Sequence, residues 1–365
     1  MRKSNLLLLS FCALSSLSAA ETSPSSVQPQ EPQGVTTQPK YVVTPPVAPV
    51  VSHGADFLIT ADFIWWKRTM NNYQYVANGT HPTVNTTTSV KKGHLKSAPF
   101  DFEPGFKVGA GLHFAHDGWD LYAQYTWLRG EEKENAMRFD TAKGLFSAFY
   151  LLNNGGAFSY RIPTKASAEF EQHFNVLDLE LGRNFFISRY LTLRPHFGLK
   201  SAWLKDDLDL DYIFGPTSVL PNVNKWDLDL DQKMWSIGLR AGLDTVWHFT
   251  KHWGLYGNLS ISPLWTSFDS RAKQIETVRA NTASPFLNVT TQNTSAKNQQ
   301  IVTVIEMSLG LTYMTWFYKD RYQLTLQAGW EEQVWMDYNL LINTVEYRAG
   351  NMNIQGLTVK AGFEF

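Results

Sequence analysis

From about residue 55 to the C-terminus, apolar and polar side chains alternate with a period of two rather than 3.6. The clearest run is Gly238–Phe249: Leu239, Ala241, Leu243, Thr245, Trp247 and Phe249 share one face, and Gly238, Arg240, Gly242, Asp244 and His248 the other. Trp119–Leu128 and Ile301–Thr315 repeat the pattern. Ten such segments can be drawn, at about 56–67, 102–114, 119–129, 170–186, 190–204, 228–249, 254–267, 300–317, 321–335 and 352–365. Each can cross a bilayer as a tilted strand, which takes about 9–11 residues.

The connections alternate in length. Short ones fall at Ala115–Gly118, Ile187–Arg189, Thr250–Trp253 and Tyr318–Asp320, long ones at 68–101, 130–169, 205–227, 268–299 and 336–351. Tight turns on one rim and long polar loops on the other are the asymmetry of an outer-membrane barrel. The pattern predicts an all-β fold: a transmembrane antiparallel up-and-down β-barrel of about ten strands, with short periplasmic turns and long extracellular loops. A weak alternation hidden in 68–101, 130–169 or 268–299 would raise the count to 12 or more.

The aromatics divide the strands into an outside and an inside. Trp119 and Trp127 share a face eight residues apart, about 20 Å along the bilayer normal at the usual strand tilt. Trp235 with Trp247, and Trp253 with Trp265, span larger distances. Together with Trp65, Trp203 and Trp330 they are expected to form two aromatic girdles around an apolar band. The opposite parity then faces the lumen: Asp62, Lys107, Asp120, Asp178, Glu180, Arg194, His196, Lys200, Arg240, Asp244, Glu306, Glu331 and Lys360, with His113, His248 and Glu364 at or near a rim. A basic residue turned into hydrocarbon would cost about 2–4 kcal/mol at mid-plane, so this sidedness is required.

Two features strain the scheme. Pro195 and Pro263 fall inside strands, where each removes a ladder donor, so bulges or strand ends are expected there; Pro104 only opens a segment. The runs Asp206–Asp211 and Asp227–Asp231 hold seven carboxylates around Gly215-Pro216 and could pair as a hairpin above the membrane. Divalent cations could bridge them to lipopolysaccharide, but a solvated acidic hairpin is the favoured reading.

Composition removes other classes. The chain has 365 residues, 18% charged and 14% aromatic, with a formal charge of −1 and one cysteine. No stretch after residue 20 approaches 18 consecutive apolar residues, which excludes helical spans; the balanced charge speaks against nucleic acid, and Cys12 alone makes neither a disulfide scaffold nor a cysteine metal site. Residues 1–20 read as a signal peptide, with Arg2 and Lys3 before an apolar core and Ser18-Ala19-Ala20 at the cleavage site. Residues 21–52 hold seven of the sixteen prolines and read as a disordered periplasmic tether, leaving 53–365 as the barrel. The chain ends on an alternating strand and Phe365, resembling the signal by which the barrel-assembly machinery recognises outer-membrane substrates.

Several blocks carry a family resemblance: Asp62-Phe63-Ile64-Trp65-Trp66, Phe102–Gly109, Gly118–Trp127, Leu193–Leu199 and Gly238–Thr245. In order along the chain they resemble the Legionella-type pore-forming outer-membrane proteins, a group likened to the chlamydial major outer membrane protein. The resemblance implies a porin or surface antigen of a bacterial outer membrane and carries over no catalytic residue. The absence of a cysteine after Cys12 departs from the cysteine-rich chlamydial proteins, so disulfide cross-linking is not expected.

Two functions fit the lumen, the porin being the favoured reading and the closed barrel the alternative. Left hydrated, its five basic and eight acidic groups make a weakly cation-selective pore for ions and small hydrophilic solutes; paired across strands, they make a plug, and the chain is then a surface adhesin or structural barrel acting through its loops. Barrels of eight to ten strands are mostly filled by their own side chains, so strand number weighs against a wide pore unless subunits assemble as a homo-oligomer. No enzymatic activity, cofactor or metal is expected. His81, His94 and His173 are at the surface end but lack a serine or carboxylate motif, and His113 with His116 is a poor pair of preorganised ligands. The expected partners are outer-membrane lipid and lipopolysaccharide, the assembly machinery and small solutes, with no nucleic acid.

Overall fold

The computed structural model describes residues 55–71, 73–80, 93–97, 100–114, 118–137, 143–147, 163–214, 223–279, 287–342 and 347–365. The expected signal peptide and tether, His81 and His116 lie outside the described residues. Fourteen strands occur in the chain order β1 (Ala55–Met70), β2 (Gln74–Thr80), β3 (Gly93–Ser97), β4 (Phe102–Phe114), β5 (Trp119–Met137), β6 (Lys143–Ser147) and β7 (Pro163–Arg183). Then come β8 (Phe185–Phe186), β9 (Leu191–Phe214), β10 (Val223–His248), β11 (Trp253–Arg279), β12 (Leu287–Phe317), β13 (Tyr322–Ile342) and β14 (Tyr347–Glu364).

Ten of these close an antiparallel barrel in the order β1-β4-β5-β7-β9-β10-β11-β12-β13-β14, with β14 pairing back onto β1. At the seam Phe57 and Phe365 exchange backbone hydrogen bonds of 2.9 and 3.0 Å. Followed from Phe63, the register runs through Phe106, Trp127, Asn175, Trp203, Trp235 and Ser267 to Gln299. Followed the other way, through Val359 and Ala328, it reaches Leu311, twelve residues from Gln299 on the same strand. A shear of that size over ten strands gives a tilt of about 40° and a backbone diameter of roughly 20 Å. That is too narrow for both a full inner layer of large side chains and a wide channel.

The ten-stranded count stands, but the alternative of 12 or more does not hold among the described residues. The extra strands β2, β3 and β6 form a separate three-stranded sheet instead of entering the barrel wall. The long connections also need correcting, because much of them is strand. β9 continues to Phe214 and pairs with β10 from Lys225 onward, while β11 and β12 run to Arg279 and from Leu287. Alternation persists there with its sense reversed: Leu208, Leu210 and Tyr212 point in, and Asp207, Asp209 and Asp211 point out.

The prolines mark where ladders break. The β4–β5 ladder starts at Gly105, beside Pro104. The β7–β9 ladder stops at Gly182–His196, and β8 takes over at Phe185–Leu193, leaving Pro195 at the gap. The β10–β11 ladder skips from Gly238–Leu264 to Ala241–Ile261, around Pro263. A Cβ on Gly238 would stand 2.1 Å from the Pro263 carbonyl oxygen, so glycine lets the two strands meet there.

Polarity inverts at the level of Trp65, Trp127, Trp203, Trp235, Trp265 and Trp330. Below it, Phe57, Ile59, Phe63, Leu199, Leu239, Ile261 and Leu309 face outward while charged and hydroxyl side chains fill the inside. Above it the outer wall is charged, and the inside holds Trp66, Phe170, Phe174, Leu204, Leu208, Met234, Phe268, Trp335, Tyr338 and Met352, all buried. The upper part is therefore built like a water-soluble protein, with the hydrophobic effect drawing its apolar side chains into the barrel.

Candidate functional site

The lower half of the lumen encloses a polar cavity of about 280 Å³. Its walls follow from strand parity, since alternate positions on neighbouring strands converge on one axis. Arg194 on β9 is the hub. Its Nε donates to Asp120 Oδ2 at 3.0 Å, and its Nη1 to Glu180 Oε2 at 3.2 Å and Asp244 Oδ2 at 2.7 Å. Arg240 on β10 donates to Glu180 Oε1 at 2.9 Å and also pairs with Glu306. Lys200 on β9 bridges Asp178 at 2.6 Å and Glu306 at 2.9 Å. Opposite them, Lys107 on β4 holds Glu331 on β13 at 2.8 Å. Asp62 stands in register between Lys107 and Lys360, and Lys360 Nζ lies 5.2 Å from the Tyr122 ring centre.

All thirteen lumen candidates from the sequence thus lie inside the barrel, in the cavity wall or paired with it. His113 also lines it, with Nδ1 3.0 Å from Glu364 at the periplasmic rim. Glu180, His196 and Asp244 bring ligand atoms within 4.8 Å of one another, which makes them the metal-ligand cluster among the described residues. His196 is buried, with Nδ1 3.7 Å from Glu180 and Nε2 3.7 Å from Asp244. The Arg194 guanidinium already pairs with both carboxylates.

Above the cavity the lumen is filled. Trp66, Trp335, Phe170, Phe174 and Phe268 are fully buried, with Phe174 and Trp335 packed edge to face at 5.6 Å. Inside this apolar layer Asp206 is fully buried, accepting hydrogen bonds from Gln172 Nε2 and from Tyr338 Oη. Gln232 Nε2 donates to the Tyr338 carbonyl at 3.2 Å. Burial lowers the pKa of the Arg68 guanidinium to about 10, with the Asp206 charge acting against it. Tyr338 points inward because the β13–β14 register shifts between Trp335 and Asn339, where Asp337 adopts a φ of 55°.

Sequence reasoning misses this plug. It groups Asp206 with an exposed acidic run, yet Asp206 shares parity with Leu208 and Leu210, and that is the available signal. Trp66 and Trp335 are readable in the same way, as tryptophans on the parity opposite the girdle.

The girdle tryptophans face outward in two belts. Trp65, Trp127, Trp203, Trp235, Trp265 and Trp330 mark the upper one, and Trp119, Trp247 and Trp253 the lower one. Trp203 and Trp235 stand directly opposite each other, and Trp235 packs edge to face on Trp265 at 5.4 Å. Further up, the outward carboxylates of β9 and β10 also stand in register: Asp207 opposite Asp231, Asp209 opposite Asp229, Asp211 opposite Asp227.

Residues 49–365 match the family model described as the Legionella pneumophila major outer membrane protein precursor. No curated protein sequence matches the chain. Among solved structures it is similar to the outer membrane protease OmpT from Escherichia coli, at 9% identity and a TM-score of 0.36, covering 85% of this chain and 96% of that one. It is also similar to a major outer membrane protein from Thermus thermophilus, at 10% identity and a TM-score of 0.29, covering 86% and 100%. A FadL homologue from Pseudomonas aeruginosa follows at 8% identity and a TM-score of 0.27, covering 86% and 90%. Likeness at that level carries no argument about activity.

Proposed function

The chain belongs to the Legionella major outer membrane protein family, a bacterial outer-membrane β-barrel, and from that premise we propose that it is a closed surface barrel acting through its extracellular walls. The observation that carries this reading is the apolar layer of Trp66, Phe170, Phe174, Phe268 and Trp335, which fills the lumen above the upper girdle. An ion entering from the periplasm would meet desolvated aromatic rings, where an unpaired charge is strongly disfavoured. The ion pairs below add a second barrier, since Lys107, Arg194, Lys200 and Arg240 are each already held by carboxylates.

A weakly cation-selective porin is the second reading, favoured by the polar cavity. Six carboxylates line it, Asp62, Asp120, Glu180, Asp244, Glu306 and Glu331, against four permanent cations, Lys107, Arg194, Arg240 and Lys360. That excess would favour cations if the plug moved. Conductance of the refolded chain in a planar bilayer, with reversal potential in a salt gradient, separates the two. A folded, heat-modifiable barrel without steps is expected; regular steps with a cation-leaning reversal would establish the porin instead.

We also propose that the chain is not an enzyme. His173 Nε2 lies 2.8 Å from Glu171, a pairing that orients an imidazole but supplies no nucleophile. Hydrolysis that disappears in His173→Ala would refute this.

A further inference from the structure

We propose that the outward wall of β5, β7, β9 and β10, just above the aromatic girdle, docks the phosphorylated headgroup of an outer-leaflet glycolipid, with Arg129, Lys205 and Lys233 as its phosphate ligands. This rests on the outer-membrane placement of the barrel and is independent of whether the lumen conducts.

The register carries the inference. Trp127, Asn175, Trp203 and Trp235 stand side by side across four strands. The next outward row is Arg129, His173, Lys205 and Lys233, again in direct register. Two residues of strand at this tilt raise a side chain by about 5 Å along the bilayer normal. Lys67 repeats the step above Trp65, so four of the six upper girdle tryptophans carry a cation at the next outward position.

Charge is ordered along each strand of this wall. Next outward along the strands come Glu131, Glu171, Asp207 and Asp231, and then Lys133, Glu169, Asp209 and Asp229; on β11, Asp269, Arg271 and Lys273 stand opposite Lys233, Asp231 and Asp229. Like charges directly opposite one another are destabilising, yet across β5, β7, β9 and β10 the first two rows are not interleaved. On β5, β9 and β10 alike the sequence instead places the cation first along the strand, between the aromatic ring and the carboxylates. A partner whose anionic groups sit just above acyl chains fits that order: chains against Leu177, Leu199, Ile237 and the tryptophans, phosphates against the cations.

The row is partly satisfied from within, since Lys205 pairs with Asp207 and His173 with Glu171. Arg129 lies over the Trp127 ring at 5.4 Å, its guanidinium in the exposed outer surface. Lys233 makes no ion pair among the described residues.

The test uses the full chain refolded in detergent, probed by native mass spectrometry with bis-phosphorylated lipid A, the same lipid dephosphorylated, and inorganic phosphate as competitor. The phosphorylated lipid is expected to be retained at least ten-fold more tightly than its dephosphorylated form. Arg129→Gln/Lys205→Gln/Lys233→Gln should abolish that difference, while Lys133→Gln/Lys165→Gln/Lys273→Gln, further from the girdle along their strands, should leave it intact. Equal binding of both lipids, full retention by the first variant, or displacement by millimolar phosphate would each overturn the proposal. If the triple variant does not form a heat-modifiable barrel, Lys233→Gln alone should weaken retention two- to five-fold, and no change would count against the site.

Discussion

Tyr338 Oη donates a 2.6 Å hydrogen bond to Asp206 Oδ2, joining two residues 132 positions apart inside the outer half of the barrel. The bond ties β9 to β13 across the lumen, where no backbone ladder connects them. It also places a carboxyl group among aromatic rings, and that gives the plug a dependence on pH.

Burial holds the Asp206 carboxyl up at about 7, against the hydrogen bonds from Tyr338 and Gln172 and the charge of Arg68. Burial also lifts Asp209 and Asp227 to about 6, and the hydrogen bond with Asp207 does the same for Asp231. Each folded-state value lies above the unfolded one, so the folded chain keeps protons that the unfolded chain releases. Their stabilisation is complete below about pH 4 and is lost as pH rises through 6 to 7. Asp207 and Asp211 are held below the usual range by their partners and act in the opposite sense at lower pH. Hydrogen exchange of β9 and β10 amides should accelerate from pH 5 to 8, after correction for intrinsic rates. Asp206→Asn should flatten that trend, a single such group contributing at most about 1.4 kcal/mol per pH unit.

Removing the rings should open the lumen. Phe174 and Trp335 pack edge to face in the plug, and each truncation to alanine is expected to cost about 3–5 kcal/mol. Phe174→Ala/Trp335→Ala should turn a silent barrel into one with measurable single-channel current. A folded double variant that stays silent would place the barrier in the ion pairs below.

Those ion pairs should behave as a unit. Glu306 holds Lys200 at 2.9 Å, pairs with Arg240 and accepts from Ser260 at 2.9 Å. Glu306→Gln takes one carboxylate from each of two buried cations, leaving Lys200 with Asp178 and Arg240 with Glu180, and a loss of about 1–3 kcal/mol is expected. Replacing Lys200 and Asp178 together by Met and Leu should cost far less, because both members of a pair leave. Urea unfolding from lipid vesicles, followed by tryptophan emission, compares the two.

The C-terminal residue should matter more in cells than in the test tube. Phe365 closes the seam by two backbone bonds to Phe57, and its ring stacks on that of Phe57 at 5.9 Å. Phe365→Ala keeps both backbone bonds, so refolded stability should change by no more than about 1–2 kcal/mol. The assembled, heat-modifiable fraction in outer membranes should fall several-fold if the assembly machinery reads the terminal ring. Equal fractions would exclude that role.

Period-two alternation and the rhythm of short and long connections made the ten strands and the inward charges legible, because both follow from the pleat and the bilayer. The plug was harder for three physical reasons. Charge density in 205–231 imitates a loop, although Leu208, Leu210, Leu228 and Leu230 keep the strand period. The shift between Trp335 and Asn339 moves Tyr338 to the inner face, and no residue type there announces the change of phase. Finally, aromatic residues serve lipid and core equally well, so only parity separates Trp65 from Trp66.

The inversion of polarity at the upper girdle also fixes the barrel's position. The strands above it reach as far as Arg279 on β11, fourteen residues past Trp265 and roughly 35 Å along the normal. To slide toward the periplasm, the barrel would have to drag Lys233, Asp207, Asp231 and their neighbours through hydrocarbon. To slide outward, it would lift Phe57, Trp247 and Trp253 into water. The molecule is therefore a rivet: its head packs only after the strands have emerged outside the cell, and once packed it cannot be withdrawn without being unfolded.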